Sequence, residues 1–476
     1  VGPAKTFEPV APLPGGLVDT RPAAPAEPVQ AARPAPPILT QDPGGAGFDP
    51  TFVPGAAEAG LVVADPSRLL GADAIPAFGN AVAAAAGLSL SARLGIEYDD
   101  NVARTNLDEP PPGSPFTSRN DVILRPSLRI AAGRELGANL LFATANLGRD
   151  YFLINEGINR QRIAVNGGFS WASYTGCSGR VQGGWNSRET NRDEFLVNIP
   201  GSTETTNFFS SVTCEVGRRL VPSISFDVIE SRFTPIERSL FNSNGWGVSG
   251  SLGYALGRKG QVGFQASRRI GSFPNQPLPP ELFPPDDPPA PGEVNSIAST
   301  NFGGFFVYRF SEQWFTNVSL GYTTTDRRIP GIPEFSGLTG SMTVAYTERR
   351  FGATASIGRS ANIGRIGGSN LQVTENFSVA LSYDIRPRVR ANVGFNQVNF
   401  DQQFQETAIP GLLRQASDTR RVGFGFNVDL LDRLTMTADY SHRERLPDAF
   451  RQGVSSNQFT IAFRSNFYDS RRGLGL

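Results

Sequence analysis

The chain has 476 residues and no net charge, with 44 basic and 44 acidic side chains, and is 39% hydrophobic and 18% charged. Neutrality removes any global electrostatic case for a nucleic-acid partner, and one His with two Cys makes a catalytic metal centre built on His or Cys clusters implausible. No window reaches the roughly 18 uninterrupted apolar residues of a spanning helix, the nearest being AVAAAAGLSL at 81–90, whereas 52 Gly and 34 Phe suit one large all-β body.

Residues 1–87 contain VGPAKTFEPVAPLPGG and RPAAPAEPVQAARPAPP, rich in Pro and Ala and without a sustained period. Such a composition buries too little apolar area to offset chain entropy, so an extended or disordered arm is expected. The chain opens at Val1 without a charged-then-apolar leader, and so reads as a processed, exported protein. The arm would then hang in the periplasm, as a tether or as a docking segment for secretion components.

Residues 88–476 change to alternation. LSLSARLGIEY places Leu88, Leu90, Ala92, Leu94, Ile96 and Tyr98 on one face, against Ser89, Ser91, Arg93, Gly95 and Glu97 on the other. The pattern returns in VILRPSLRI, WGVSGSLGYAL, VGFGFNVDL and NQFTIAF. Many of these runs exceed the strand length of a soluble sandwich and match the roughly 9–11 residues of a tilted bilayer-crossing strand. Short connectors such as GREL, GRKG and TERR alternate with long ones near 99–120, 193–203, 273–297 and 402–418. That rhythm predicts a transmembrane antiparallel β-barrel of about 18 strands, or 16, with tight periplasmic turns and long external loops. Strands near 138–153 and 388–400 lose parity part-way, which predicts bulges there.

The chemistry is sparse. Cys177 and Cys214 fall one hairpin apart, both on the outward parity near the periplasmic end, and an oxidising periplasm permits a disulfide between them. His442 has outward parity while Ser441 points inward, so the two cannot form a nucleophile pair. Gly-rich pieces such as NGGFSW and QGGWN open no predicted helix and suit rings lying across a sheet, not phosphate binding. Trp171, Trp185, Trp246, Tyr254, Trp314 and Tyr322 are among the candidate girdle aromatics. The inward parity collects Arg93, Arg125, Arg129, Arg180, Arg188, Arg269 and Arg421 with Asp227, Asp429 and Asp439 as a candidate lumen lining. Those arginines would favour anions or acidic sugar chains, or would form ladders with carboxylates that stiffen the wall. The segment PNQPLPPELFPPDDPPAPGEVN is stiff and could cover a mouth. No enzyme and no cofactor are expected.

LGIEYDDNVART, with Tyr98, Asp99, Asp100, Asn101 and Val102 at its centre, resembles the opening signature of a family of outer-membrane β-barrel porins of Gram-negative bacteria. The resemblance covers the predicted barrel by its strand rhythm and implies an association with exopolysaccharide or capsule export. Phe459, Ile461, Phe463 and Phe467 are similar to the aromatic insertion signal of such barrels, although DSRRGLGL follows here. The expected function is therefore an outer-membrane conduit, foremost for polysaccharide export. A general or sugar-selective diffusion porin and a structural anchor for a surface layer or filament are the alternatives. Its expected partners are outer-membrane lipid and lipopolysaccharide, periplasmic secretion components through residues 1–87, polysaccharide, and further copies of the chain, with no nucleic acid.

Overall fold

The computed structural model describes residues 87–103, 116–137, 139–173, 176–189, 202–217, 219–234, 242–257, 259–277, 294–327, 334–363, 369–404, 414–446 and 453–469. The expected arm and most of the Pro-rich connector lie outside the described residues. The strands are β1 (Gly87–Asp99), β2 (Asp121–Leu136), β3 (Asn139–Phe152), β4 (Arg160–Ala172), β5 (Cys177–Glu189) and β6 (Ser202–Cys214). They continue as β7 (Leu220–Thr234), β8 (Ser243–Ala255), β9 (Gly260–Pro277), β10 (Val294–Arg309), β11 (Trp314–Arg327) and β12 (Ser336–Glu348). The remainder are β13 (Phe351–Ile363), β14 (Ser369–Arg386), β15 (Val389–Phe404), β16 (Arg414–Leu431), β17 (Leu434–Arg445) and β18 (Val454–Asp469).

Each strand pairs antiparallel with the next, and β18 pairs with β1, so the 18-stranded sheet closes on itself and leaves no edge. One end of the barrel carries tight turns, including 137–138, 349–350, 387–388 and 432–433. At the other end longer stretches of sequence separate successive strands, as between β1 and β2 and between β9 and β10. These are called below the turn end and the loop end.

Period-two alternation decides what each face presents. Outward positions are large and apolar: Phe264, Phe302 and Leu320 are each at least 60% exposed. In water an apolar surface of this extent would drive association, whereas a lipid-facing band requires it. Outward rings also pack on one another, as Phe377 does on Phe395 and Phe424 on Tyr440. Trp171 lies across Gly179, where a Cβ would come within 2.5 Å of the indole, so only Gly lets the ring rest there.

Three details differ from the sequence expectation. β9 and β10 run on into the predicted 273–297 connector, with Phe273 opposite Asn295, because inward residues keep pairing beyond the expected ends. β3 keeps its parity throughout: Asp150 faces inward while Arg149 and Tyr151 face outward, with the guanidinium 4.9 Å from the Tyr151 ring centroid. The β14–β15 ladder shifts register at Ser369/Leu371 and Asp384/Arg386, both at strand ends.

Candidate lumen wall

The inner face divides into two sectors. From β6 to β15 it is mostly Ser, Thr, Asn and Gly. Directly opposed hydroxyls bond across the strands, Ser223 with Ser251 at 2.6 Å, Ser225 with Ser249 at 2.7 Å and Ser356 with Ser378 at 2.6 Å. Two ion pairs join charged residues of this sector. The Arg269 Nη2 reaches the Asp227 carboxylate at 2.7 Å, passing over Gly247, whose missing side chain leaves the room: a Cβ there would stand 2.7 Å from Asp227 Oδ1. Arg390 bonds the directly opposed Asp384 through Nε at 2.5 Å.

From β16 through the closure to β5 the wall is rich in arginine. The Asp150 carboxylate forms ion pairs with Arg162, 2.8 Å from its Nη2, and with Arg125, 3.6 Å from its Nε, while Arg125 also pairs with Glu97. Arg421 donates to Ser441 Oγ at 2.9 Å and to Gln458 Oε1 at 3.3 Å. Asp439 interacts electrostatically with Arg93 and Arg421. Carboxylate ladders are therefore present, but they do not account for the pairing pattern. Arg93 stands directly opposite Arg464, and Arg421 opposite Arg443. By backbone register Arg162 is likewise opposite Arg188, whose side chain lies outside the described residues. Arg93 further lies in the field of Arg125 and Arg162, and Arg129 in that of Arg464. Like charges directly opposed across strands destabilise a sheet. A wall built only for stability would not repeat them.

The remaining residues singled out from sequence fall as follows. Arg180 faces inward and lies 4.9 Å from the Phe142 ring centroid. Asp429 sits exposed near the turn end and accepts from Thr435. Cys177 and Cys214 are directly opposed on the outward face and joined by a disulfide. His442 faces outward and shares the Asn457 side-chain oxygen with the Tyr440 hydroxyl, on the opposite side of the wall from Ser441.

The Tyr98–Val102 motif fastens the closure of the barrel at the loop end. Asp100 accepts from the Asn457 amide N–H and side chain, both at 2.6 Å, and Asp99 accepts from Gln458 at 2.9 Å. Asn101 is fully buried and donates to the Ser455 carbonyl at 2.8 Å. Tyr98 stands on the outer face opposite Phe459. Val102 enters a small buried cluster with Phe116, Ile123, Phe152 and Ile158. Beside it Asp121 and Asn155 tie the 116–120 and 153–155 segments together. The result is a firm lip on the charged side of the mouth. Sequence reading missed this role, although Asp and Asn clustered at a strand end, each with several polar atoms to satisfy, are its signal.

No protein-family model matches the chain, and no curated relative was found. Solved structures similar to it include the FrpB iron transporter of Neisseria meningitidis, at 10% identity over 80% of this chain and 81% of that one, with a TM-score of 0.45. OccK5 of Pseudomonas aeruginosa is 10% identical over 80% and 99%, with a TM-score of 0.41. OccAB3 of Acinetobacter baumannii is 11% identical over 80% and 99%, with a TM-score of 0.40.

Proposed function

We propose that the chain is an outer-membrane channel whose lumen passes anionic solutes, acidic sugars among them. A closed barrel with an outward apolar band is built to sit in lipid, and the alternation of tight turns with long connections supports a reading with the turn end in the periplasm and the loop end outside. An 18-stranded barrel encloses more space than small inward side chains fill. The observation that carries the reading is the set of directly opposed arginines on the inner face, Arg93 with Arg464 and Arg421 with Arg443. Their mutual repulsion is offset when a passing anion enters between them, which is how rings of basic side chains select anions in pores.

Export of acidic polysaccharide would use the same wall in the outward direction. The resemblance at Tyr98–Val102 does not select that cargo, because these side chains are engaged in closing the barrel. The experiment is conductance of the purified chain in planar bilayers, with and without an acidic oligosaccharide. Anion-preferring current that the oligosaccharide blocks supports the proposal, and a cation-preferring current would sink it. Gene deletion followed by assays of surface polysaccharide and of small-anion uptake then separates export from diffusion.

A further inference from the structure

The outer wall of the charged sector carries a furrow of about 670 Å³ that crosses β17, β18, β1, β2, β3 and β4. We propose that it holds one acyl chain of a phosphate-bearing lipid of the outer leaflet, with Arg149 as the phosphate ligand. The proposal rests on reading the outer face as lipid-embedded.

The floor is low because small side chains line up there: Ala92 is directly opposite Ser465, and Pro126 follows on β2 beside Leu94. Leu94, Leu128, Leu147 and Phe463 rise around it. Hydrogen-bonded rows fix its course. Arg149 is in register with Gln161 at the loop end of β4, whereas Leu434 pairs with Ser465 at the turn end of β17. The furrow therefore climbs the wall. Crossing five strand spacings of about 4.8 Å gives it a length near 24 Å, enough on an incline for a chain that traverses one leaflet of a roughly 30 Å hydrocarbon core.

Charge supplies the second argument. On the outward face near the loop end, Arg232 is paired with Glu230 at 2.6 Å, Arg359 with Glu375 at 3.4 Å and Arg420 with Asp418 at 3.2 Å. Arg149 and Arg268 hold no such carboxylate among the described residues, and of these two Arg149 lines the furrow. Its guanidinium is braced on Tyr151, and Gln161 beside it offers a further amide donor. An exposed guanidinium next to an apolar channel in a lipid-facing wall fits a molecule with an anionic head and an acyl tail. Pro126 adds to the opening, since it has no N–H to give and the β2–β3 ladder is interrupted between Leu124/Tyr151 and Ser127/Gly148.

The test uses the full chain folded in detergent, offered dioleoylphosphatidic acid or dioleoylglycerol and read by native mass spectrometry. The wild type retains one phosphatidic acid per chain and no dioleoylglycerol. Arg149→Gln weakens retention about tenfold, the loss of one charge-assisted phosphate bond. Ala92→Phe or Ser465→Phe, each filling the floor, abolishes it. Excess inorganic phosphate leaves the lipid in place. Equal retention of both lipids, displacement by inorganic phosphate, or unchanged binding in Arg149→Gln and in whichever filling variant folds overturns the proposal. Insertion into phosphatidylglycerol vesicles is scored separately: failure to insert overturns the outer-membrane reading itself, whereas insertion without retention overturns only the furrow.

Discussion

The two sectors of the inner wall use the same backbone and the same inward positions for opposite purposes. Between β6 and β15 the cross-strand contacts join complementary groups, hydroxyl to hydroxyl or Asp227 to Arg269. Between β16 and β5 arginines also face arginines, across Arg93/Arg464 and Arg421/Arg443. A barrel needs only the first arrangement in order to stand. The second brings like charges together at one side of the lumen, and under the proposed function a transient anionic ligand relieves their repulsion.

That contrast can be broken or sharpened at several places. The largest effect on stability is expected at the border, where the Cys177–Cys214 disulfide joins the last charged strand to the first neutral one. Cys177→Ser with Cys214→Ser removes a constraint worth roughly 3–4 kcal/mol in the chain-entropy account, and guanidinium unfolding in detergent micelles should show it. Next comes Asp150→Asn, which takes a shared carboxylate from Arg125 and Arg162. A loss of roughly 1–3 kcal/mol is expected, measured in the same way. Ser249→Ala in the neutral sector, breaking one hydroxyl bond to Ser225, should cost only about 0.5–1.5 kcal/mol. Smallest in size but most telling in sign is Arg93→Gln. Removing one of two opposed cations should raise stability by about 0.2–1 kcal/mol while lowering anion preference. A clear destabilisation there would mean that Arg93 is a wall brace.

Much of the architecture is legible in the sequence, because a period of two allows each strand only one choice of faces. Leu94, Ile96 and Tyr98 against Arg93, Gly95 and Glu97 could be sorted without coordinates, and the alternation of short and long connectors supplied the number of strands. Strand ends were harder to read: pairing of Phe273 with Asn295 depends on a neighbour, not on local composition. A charged residue on the lipid side breaks the apolar pattern within 138–153, yet Arg149 keeps the outward parity of its strand beside Tyr151. The opposition of Arg93 and Arg464 was invisible, since the register between the first and last strands follows from the stagger with which the whole barrel closes. The furrow is hidden for the same reason, being made by small residues from strands far apart in sequence.

The central claim is tested most directly by the zero-current potential of the reconstituted chain across a planar bilayer in a salt gradient, compared between the wild type and the Arg93→Glu, Arg464→Glu pair. The wild type should show a potential of the sign set by anion permeation, and the paired reversal should shift it several-fold toward cations, whereas Ser225→Glu in the neutral sector should shift it less. A cation-selective wild type, or a selectivity indifferent to the opposed arginines, would contradict the account.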